Sequence, residues 1–427
     1  MGAAESRAEA EARLDGVDPA AVLRAGDGRP RGLWSDARGW CAWFGEATVL
    51  TASGEGRFGQ IRAAAEHAAG RGGGRFFGGF AFHDAGDEVT RWVGFPAARF
   101  VLPAVEARGD ADGVRLRVRA QGNGDARALL EEVAASVRAQ TAPPSSGSGA
   151  DLPEDGLREP HGGWNATVRA ALEEIGSGRL EKVVLARAMD VPVMADPVGV
   201  TVGLRSDEPD ARVFLFEPIP GRAFLGAAPE SLADVRDGAL RTTAVAGSAR
   251  RGFTPAEDRA LAEALLGSAK DRAEQALVVR DIAARLAPLV RDLDVERGRH
   301  LIRFARIQHL ETVLRGRLEA DVDALGILEA LHPTPAVGGA PRGEALDFIR
   351  RTEGFRRGWY AGPVGWFEPG GDASFAPALR SALYSREVGW RLFAGAGIVH
   401  GSEPEKEWAE TAVKLEPVLA ALRRACG

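Results

Sequence analysis

Apolar and polar positions along the chain follow two periods, and the order in which they alternate predicts the architecture. Between residues 32 and 105, aromatic and β-branched clusters separated by glycine, notably FGGFAF (77–82) and RWVGFP (91–96), predict strands joined by tight turns. Residues 114–119 alternate strictly between apolar and basic, as a half-buried strand does, and 126–140 changes to helical spacing. Ahead of these, residues 1–24 are rich in Ala, Glu and Arg and predict either a helix or loose chain that carries no chemistry. PPSSGSG (143–149) has the composition of a flexible linker. It sets the main internal boundary, with an amino-terminal part at 1–142, a linker at 143–151 and the remainder at 152–427.

Beyond the linker, residues 164–178 have helical periodicity, and EKVVLAR (181–187) reads as a short buried strand. Strands alternating with turns are expected through residue 245. Thr254-Pro-Ala-Glu257 matches a capping box with proline at the first helical position, opening a helix to Gly267. A second helix is expected over 268–289, strands around 302–306, 364–367 and 388–398, and a closing helix over 404–422. Strand runs and helices do not alternate regularly, which predicts an α+β fold of antiparallel sheets backed by helices rather than a doubly wound sheet.

Composition narrows the function. A net charge of −6 gives no basic surface for nucleic acid or anionic lipid, so neither partner is expected. No apolar run approaches the roughly 20 residues that cross a bilayer, and the Glu- and Arg-rich start lacks a secretory apolar stretch, so a cytoplasmic protein is expected. Cys41 and Cys426 stand far apart and indicate neither a disulfide framework nor a thiolate metal site. The chain carries no H-E-x-x-H, no G-x-x-x-x-G-K-[ST] and no G-x-S-x-G. Of 54 basic side chains only Lys182, Lys270, Lys406 and Lys414 are lysine, so each marks a place where a compact, titratable amine is wanted.

Several residues could carry chemistry. Asp271 and Glu274 share one face of the second helix, and Glu407 and Glu410 repeat that spacing on the last, so two acidic pairs could converge on a hard cation such as Mg²⁺. The plainer reading has Asp271 supporting its helix start and Glu410 pairing with Lys414 in solvent. Lys182 lies inside an apolar strand, where burial favours a neutral amine able to act as a base; alternatively it is a strand-edge lysine paired with Glu181. Glu230, in GAAPES (226–231), is either a general acid or a helix N-terminal acid. Gly395 and Gly397, in LFAGAGIV (392–399), predict a tight turn whose amides could bind a carboxylate. Arg380 could grip a carboxylate or lie on the surface, and His309 could serve the site or be a core histidine.

Taken together and in this order, EKVVLAR, GAAPES, AVAGSARR (244–251), KDRAEQ (270–275), IQHLET (307–312), HPTPAVGG (332–339), AGPVGWF (361–367), LFAGAGIV and EWAETAVKL (407–415) resemble the chorismate-utilising enzymes, which include isochorismate, salicylate, anthranilate and aminodeoxychorismate synthases. The resemblance is strong over 164–422 and fainter through FGGFAF and the WVGFP segment. It implies a single large α+β unit of two facing antiparallel sheets with helices outside. It further implies Mg²⁺ held by Glu274 and Glu410, with Asp271 and Glu407 supporting through water. Gly395, Gly397, Arg380 and Lys414 would receive substrate carboxylates, and His309 would line the ring site. Lys182 would activate water and Glu230 would protonate the leaving hydroxyl.

A lysine at position 182 matches the water-using members. Ala246 stands where aminodeoxychorismate synthases carry a nucleophilic lysine, so no amidotransferase partner is expected. The resemblance therefore implies isochorismate formation from chorismate, with salicylate synthesis by subsequent loss of pyruvate as the alternative and a non-catalytic, amidotransferase-docking subunit as a reading from another class. Menaquinone and siderophore pathways are both open to such a product, and a monomer is the default. Ala244, Gln275 and Leu379 depart from the family's usual proline, histidine and isoleucine; Gln275 bears on the surroundings of Glu274.

Overall fold

The computed structural model describes residues 9–69, 73–84, 91–120, 124–140 and 161–426. The expected linker at 143–151 lies outside them. All strand pairings are antiparallel, and they run in one continuous ladder. Its first half runs from β15 (Gly339–Ala340) through β7 (Lys182–Val191), β19 (Gly389–Ile398), β18 (Ser381–Ser385), β9 (Arg222–Ala228), β8 (Arg212–Ile219) and β2 (Arg31–Asp36) to the long β3 (Gly39–Ala52). Beside β3 lies β5 (Ala98–Asp110), whose outer end carries β6 (Gly113–Arg119) and β1 (Glu9–Leu14). From β5 the ladder continues through β4 (Phe76–Phe80), β16 (Pro363–Phe367), β17 (Ala373–Pro377), β10 (Ala233–Arg236) and β11 (Ala239–Arg250) to β14 (Ile307–Leu318), which also pairs with β12 (Val290–Val295) and β13 (His300–Arg303).

The two halves face each other because the two-residue period of a strand sends alternate side chains to different cores. Along β8, Phe214 and Phe216 enter an inner core with Phe77, Val364 and Trp366 from β4 and β16, while Val213 and Leu215 enter an outer one. That inner core is aromatic, with Trp43 of β3 stacked on Phe77 of β4 at 4.2 Å. Helices cover both outer surfaces: α1 (Pro19–Ala25), α3 (Ala126–Ala139), α5 (Pro197–Asp207) and α10 (Pro404–Ala425) against the first half, and α2 (Arg57–Ala69), α7 (Ala269–Leu286) and α8 (Ala324–Leu331) against the second. Helices α4 (His161–Gly176) and α9 (Arg342–Thr352) cap the inner core, and α6 (Pro255–Gly267) links β11 to α7.

The expected class, two facing antiparallel sheets with helices outside, is the one observed. The capping box is present as read, with the Thr254 hydroxyl accepting from the Glu257 amide and Pro255 opening α6. Three local expectations are corrected. Residues 9–14 form an edge strand instead of a helix or loose chain, because EAEARL pairs with the alternating strand β6. RWVGFP is a turn rather than a strand; it folds Trp92 and Phe95 into the inner core, where burial rather than pairing holds them. Helices α2 and α5 interrupt stretches expected to hold only strands and turns. In α2, Phe58, Ile61 and Ala65 recur at helical spacing and are buried.

Candidate active site

Antiparallel order brings remote parts of the sequence to one end of the first sheet. Register places the start of β7, the end of β19, the start of β18 and the end of β9 side by side: Val183 lies opposite Ile398, Phe393 opposite Ser381, and Ser381 opposite Gly226. Lys182, Gly395, Gly397, Arg380 and Glu230 sit on those ends. From the second half, β11 and β14 contribute Ser248 and His309, paired across the ladder, while α7 supplies Glu274 and α10 supplies Glu410 and Lys414. Lys182, Glu230, Arg380, His309, Glu274 and Glu410 line one cavity, together with Gly395, Gly397, Ser248 and Lys414.

Lys182 is 1% exposed. Its partner is Glu274, whose Oε1 lies 2.8 Å from the amine; Glu181 pairs instead with Arg280, so the strand-edge reading is set aside. Gly397 makes this approach possible, because a β-carbon there would stand 2.5 Å from the Glu274 oxygen and 3.0 Å from Cε of Lys182. The expected glycine turn is in fact the end of β19, paired with β7, and the β18 ladder stops at Phe393, before Gly395 and Gly397. Lys414 donates to Glu410 at 2.6 Å and to the Gly395 carbonyl at 2.9 Å. The pairing of Glu410 with Lys414 is therefore present, but at the cavity rather than on an open surface.

Glu230 follows β9 in a loop, not at a helix start, and is 6% exposed. Burial pushes its carboxyl up to about 7, against the opposing pull of Lys182, Lys414 and Arg380. Arg380 has φ +46°, a left-handed conformation rare for a side-chain-bearing residue, and its Nη1 is buried without a hydrogen-bond partner. Its Nη2 lies 2.5 Å from Nε2 of His309, and burial lowers the guanidinium to about 10. An arginine only donates, so Nε2 accepts and the imidazole proton sits on Nδ1, within 3.2 Å of the Gly247 carbonyl and 3.0 Å of the Ser248 hydroxyl. Burial, then Arg380, hold this imidazole well below its ordinary value and keep it neutral.

Two of the four acids lie behind the cavity lining. Asp271 packs at the β11 bulge, where a β-carbon on Gly247 (φ +74°) would meet it at 2.9 Å, and the Ser268 hydroxyl accepts from its amide. Glu407 is bound by Lys270 at 2.5 Å. Burial raises both carboxyls, and Glu410 raises them further. Among the described residues, no three His, Cys, Asp or Glu side chains are grouped closely enough to hold a metal by themselves.

A family model described as chorismate binding enzyme matches residues 4–423. This chain belongs to that family of chorismate-binding enzymes. It is 38% identical to the salicylate biosynthesis isochorismate synthase of Pseudomonas aeruginosa, with 96% of this chain and 88% of the relative covered. It is 34% identical to the isochorismate synthase MenF of Bacillus subtilis, over 81% and 74%. In three dimensions it superposes on MenF, the menaquinone-specific isochorismate synthase of Escherichia coli, with a TM-score of 0.81 and 28% identity, covering 97% of this chain and 94% of that one.

For a chorismate-binding enzyme the cavity has two polar lining residues that the sequence reading missed, Ser248 and Tyr360. Tyr360 is buried, stacks on Phe393 at 5.1 Å, and places its hydroxyl 3.0 Å from where a β-carbon on Gly395 would be. It is one of only two tyrosines in the chain, so the scarcity that flags the lysines would have flagged it too. A wider cleft lies elsewhere, lined by Arg38, Arg108 and Arg117 among others. Those guanidiniums pair with Asp36, Glu106 and Glu11, and no candidate catalytic, substrate or metal residue lines that cleft. Among the described residues no helix is long and apolar enough to cross a membrane.

Proposed function

We propose that this enzyme converts chorismate to isochorismate. The carrying observation is that the amine of Lys182 and the carboxyl of Glu230, the latter raised toward neutrality, are both buried on one cavity that also presents Arg380, His309, Glu274 and Glu410. The relatives named above support the same reaction.

In the proposed reaction Lys182, as the free amine, takes a proton from water as the water oxygen bonds to ring C2. The ring double bonds shift, the C4–O bond breaks, and the departing hydroxyl takes the proton of Glu230 and leaves as water. Atoms balance as an isomerisation, and the two groups do opposite proton work. The unpartnered Nη1 of Arg380 is suited to a substrate carboxylate, which it would bind as a charge-assisted pair. His309, neutral and tied to Arg380, would keep that guanidinium aimed at the cavity.

The residues also fit Mg²⁺. That ion commonly takes one or two carboxylates and fills its remaining positions with water and substrate oxygens, and Glu274 and Glu410 line the cavity as such a pair. Asp271 and Glu407 stand behind them with carboxyls raised by burial and by neighbouring like charge, which a cation would relieve. When bound, the ion would withdraw charge through the ring carboxylate.

Product analysis tests the proposal and separates it from salicylate synthesis. Chorismate with enzyme and Mg²⁺ should yield isochorismate, without salicylate fluorescence and without stoichiometric pyruvate. Release of pyruvate in step with chorismate consumption would overturn it.

A further inference from the structure

Among the described residues Glu230 is the one cavity-lining carboxyl with neither a hydrogen bond nor an ion pair to set its direction. Among the described residues no donor reaches its carboxyl, so its aim is set by the backbone on either side. Pro229 stiffens one side. On the other, Ser231 is held at every polar atom it has. Its amide donates to the Thr243 hydroxyl at 3.0 Å, and its carbonyl accepts from the Thr243 amide at 3.1 Å and from the Thr242 and Thr243 hydroxyls, both at 3.2 Å. Its hydroxyl donates to Asp234 Oδ2 at 2.7 Å.

Asp234 is itself 7% exposed and is the hub of a wider set. Besides Ser231 it accepts from Ser374 at 2.5 Å, from Arg212 at 2.5 Å and from Arg38 at 3.5 Å. These donors come from the turn between β2 and β3, from β8 and from β17, so the carboxylate ties the loop after β9 to both halves of the ladder. An ionised acceptor in a water-poor setting forms stronger hydrogen bonds than a neutral one and commits the serine hydroxyl to a single direction. None of this set lines the cavity, and the expected catalytic roles account for none of it.

We propose that Asp234 is a positioning residue: by fixing Ser231 it holds the Pro229–Ser231 loop so that Glu230 delivers its proton at the correct point above the substrate. The inference rests on the reading of Glu230 as the acid. It differs from a general stabilising role in what it affects, since misplacing a proton donor slows the chemical step while leaving carboxylate recognition by Arg380 intact.

The test compares Ser231→Ala and Asp234→Asn with the parent enzyme, alone and combined with Glu230→Gln. Each single variant should lower kcat by about 10- to 100-fold with KM within about twofold. In the Glu230→Gln background neither should cause a further loss, because the group they position is gone. Ser231→Ala removes one hydroxyl and leaves every buried charge paired, so it keeps the test informative if Asp234→Asn fails to fold. Wild-type kcat in Ser231→Ala, or an undiminished further loss in the Glu230→Gln background, would overturn the inference. Full activity of Glu230→Gln alone would instead overturn the acid assignment on which it rests.

Discussion

Glu274 and Glu410 each hold a lysine, at 2.8 and 2.6 Å, whereas Glu230 lines the same cavity without an ion-pair partner among the described residues. Beside Glu230 the pattern continues: His309 is neutral, and Arg380 keeps one buried nitrogen unpartnered. The contrast teaches how one cavity can hold ion-paired carboxylates beside a carboxyl raised toward neutrality. A buried carboxyl with no counter-charge bound to it shifts toward its neutral form, as Glu230 does. In the proposed reaction the paired carboxylates would serve a cation, and Glu230 and Arg380 would offer the substrate a proton and a guanidinium.

The largest effect should come from breaking the paired set at its most buried member. Lys182→Ala removes the proposed base and leaves Glu274 without its partner. Turnover should fall by about 10³- to 10⁴-fold, while chorismate binding stays measurable by calorimetry. Unchanged turnover would place the base elsewhere. A smaller effect is expected from Glu274→Gln, which keeps the shape and removes the charge. The Mg²⁺ concentration for half-maximal rate should rise by about 100-fold. Wild-type activity of this variant in EDTA would remove Glu274 from the cation site.

How much of this was legible beforehand depends on the distance over which each signal acts. The capping box of α6 and the helical face of α7 are local patterns, and both stand where the sequence placed them. The nine proposed site residues that line the cavity, from Lys182 to Lys414, were raised one by one by spacing, burial pattern and lysine scarcity, and only motif order joined them into one site. What failed was context. GAG at 395–397 looks like a turn because glycine permits one, but here glycine serves to leave room for Glu274 against a strand. RWVGFP has strand composition, yet burial of Trp92 and Phe95 outweighs it. The pairing of Lys182 with Glu274 joins residues 92 positions apart and depends on register that no local window contains.

The smallest effect sharpens the unpaired side. Glu230 has an ordinary carboxyl value of 4.5 that burial raises to about 7 in the folded chain. Between those values the folded state binds more protons than the unfolded one, so stability is full at low pH and falls as pH rises through the window. The loss levels off above about pH 7 at a magnitude on the order of 3 kcal/mol. Glutamine cannot ionise, so Glu230→Gln should escape it. By calorimetry the variant should melt a few °C (roughly 2–6 °C) above the parent at pH 8, with the gap shrinking toward pH 5. The same substitution should cost activity, so a gain in stability and a loss of turnover would appear together in one variant. A melting difference that does not change with pH would mean that Glu230 is ionised in the folded enzyme, and the distinction between the two sets of charges would then be lost.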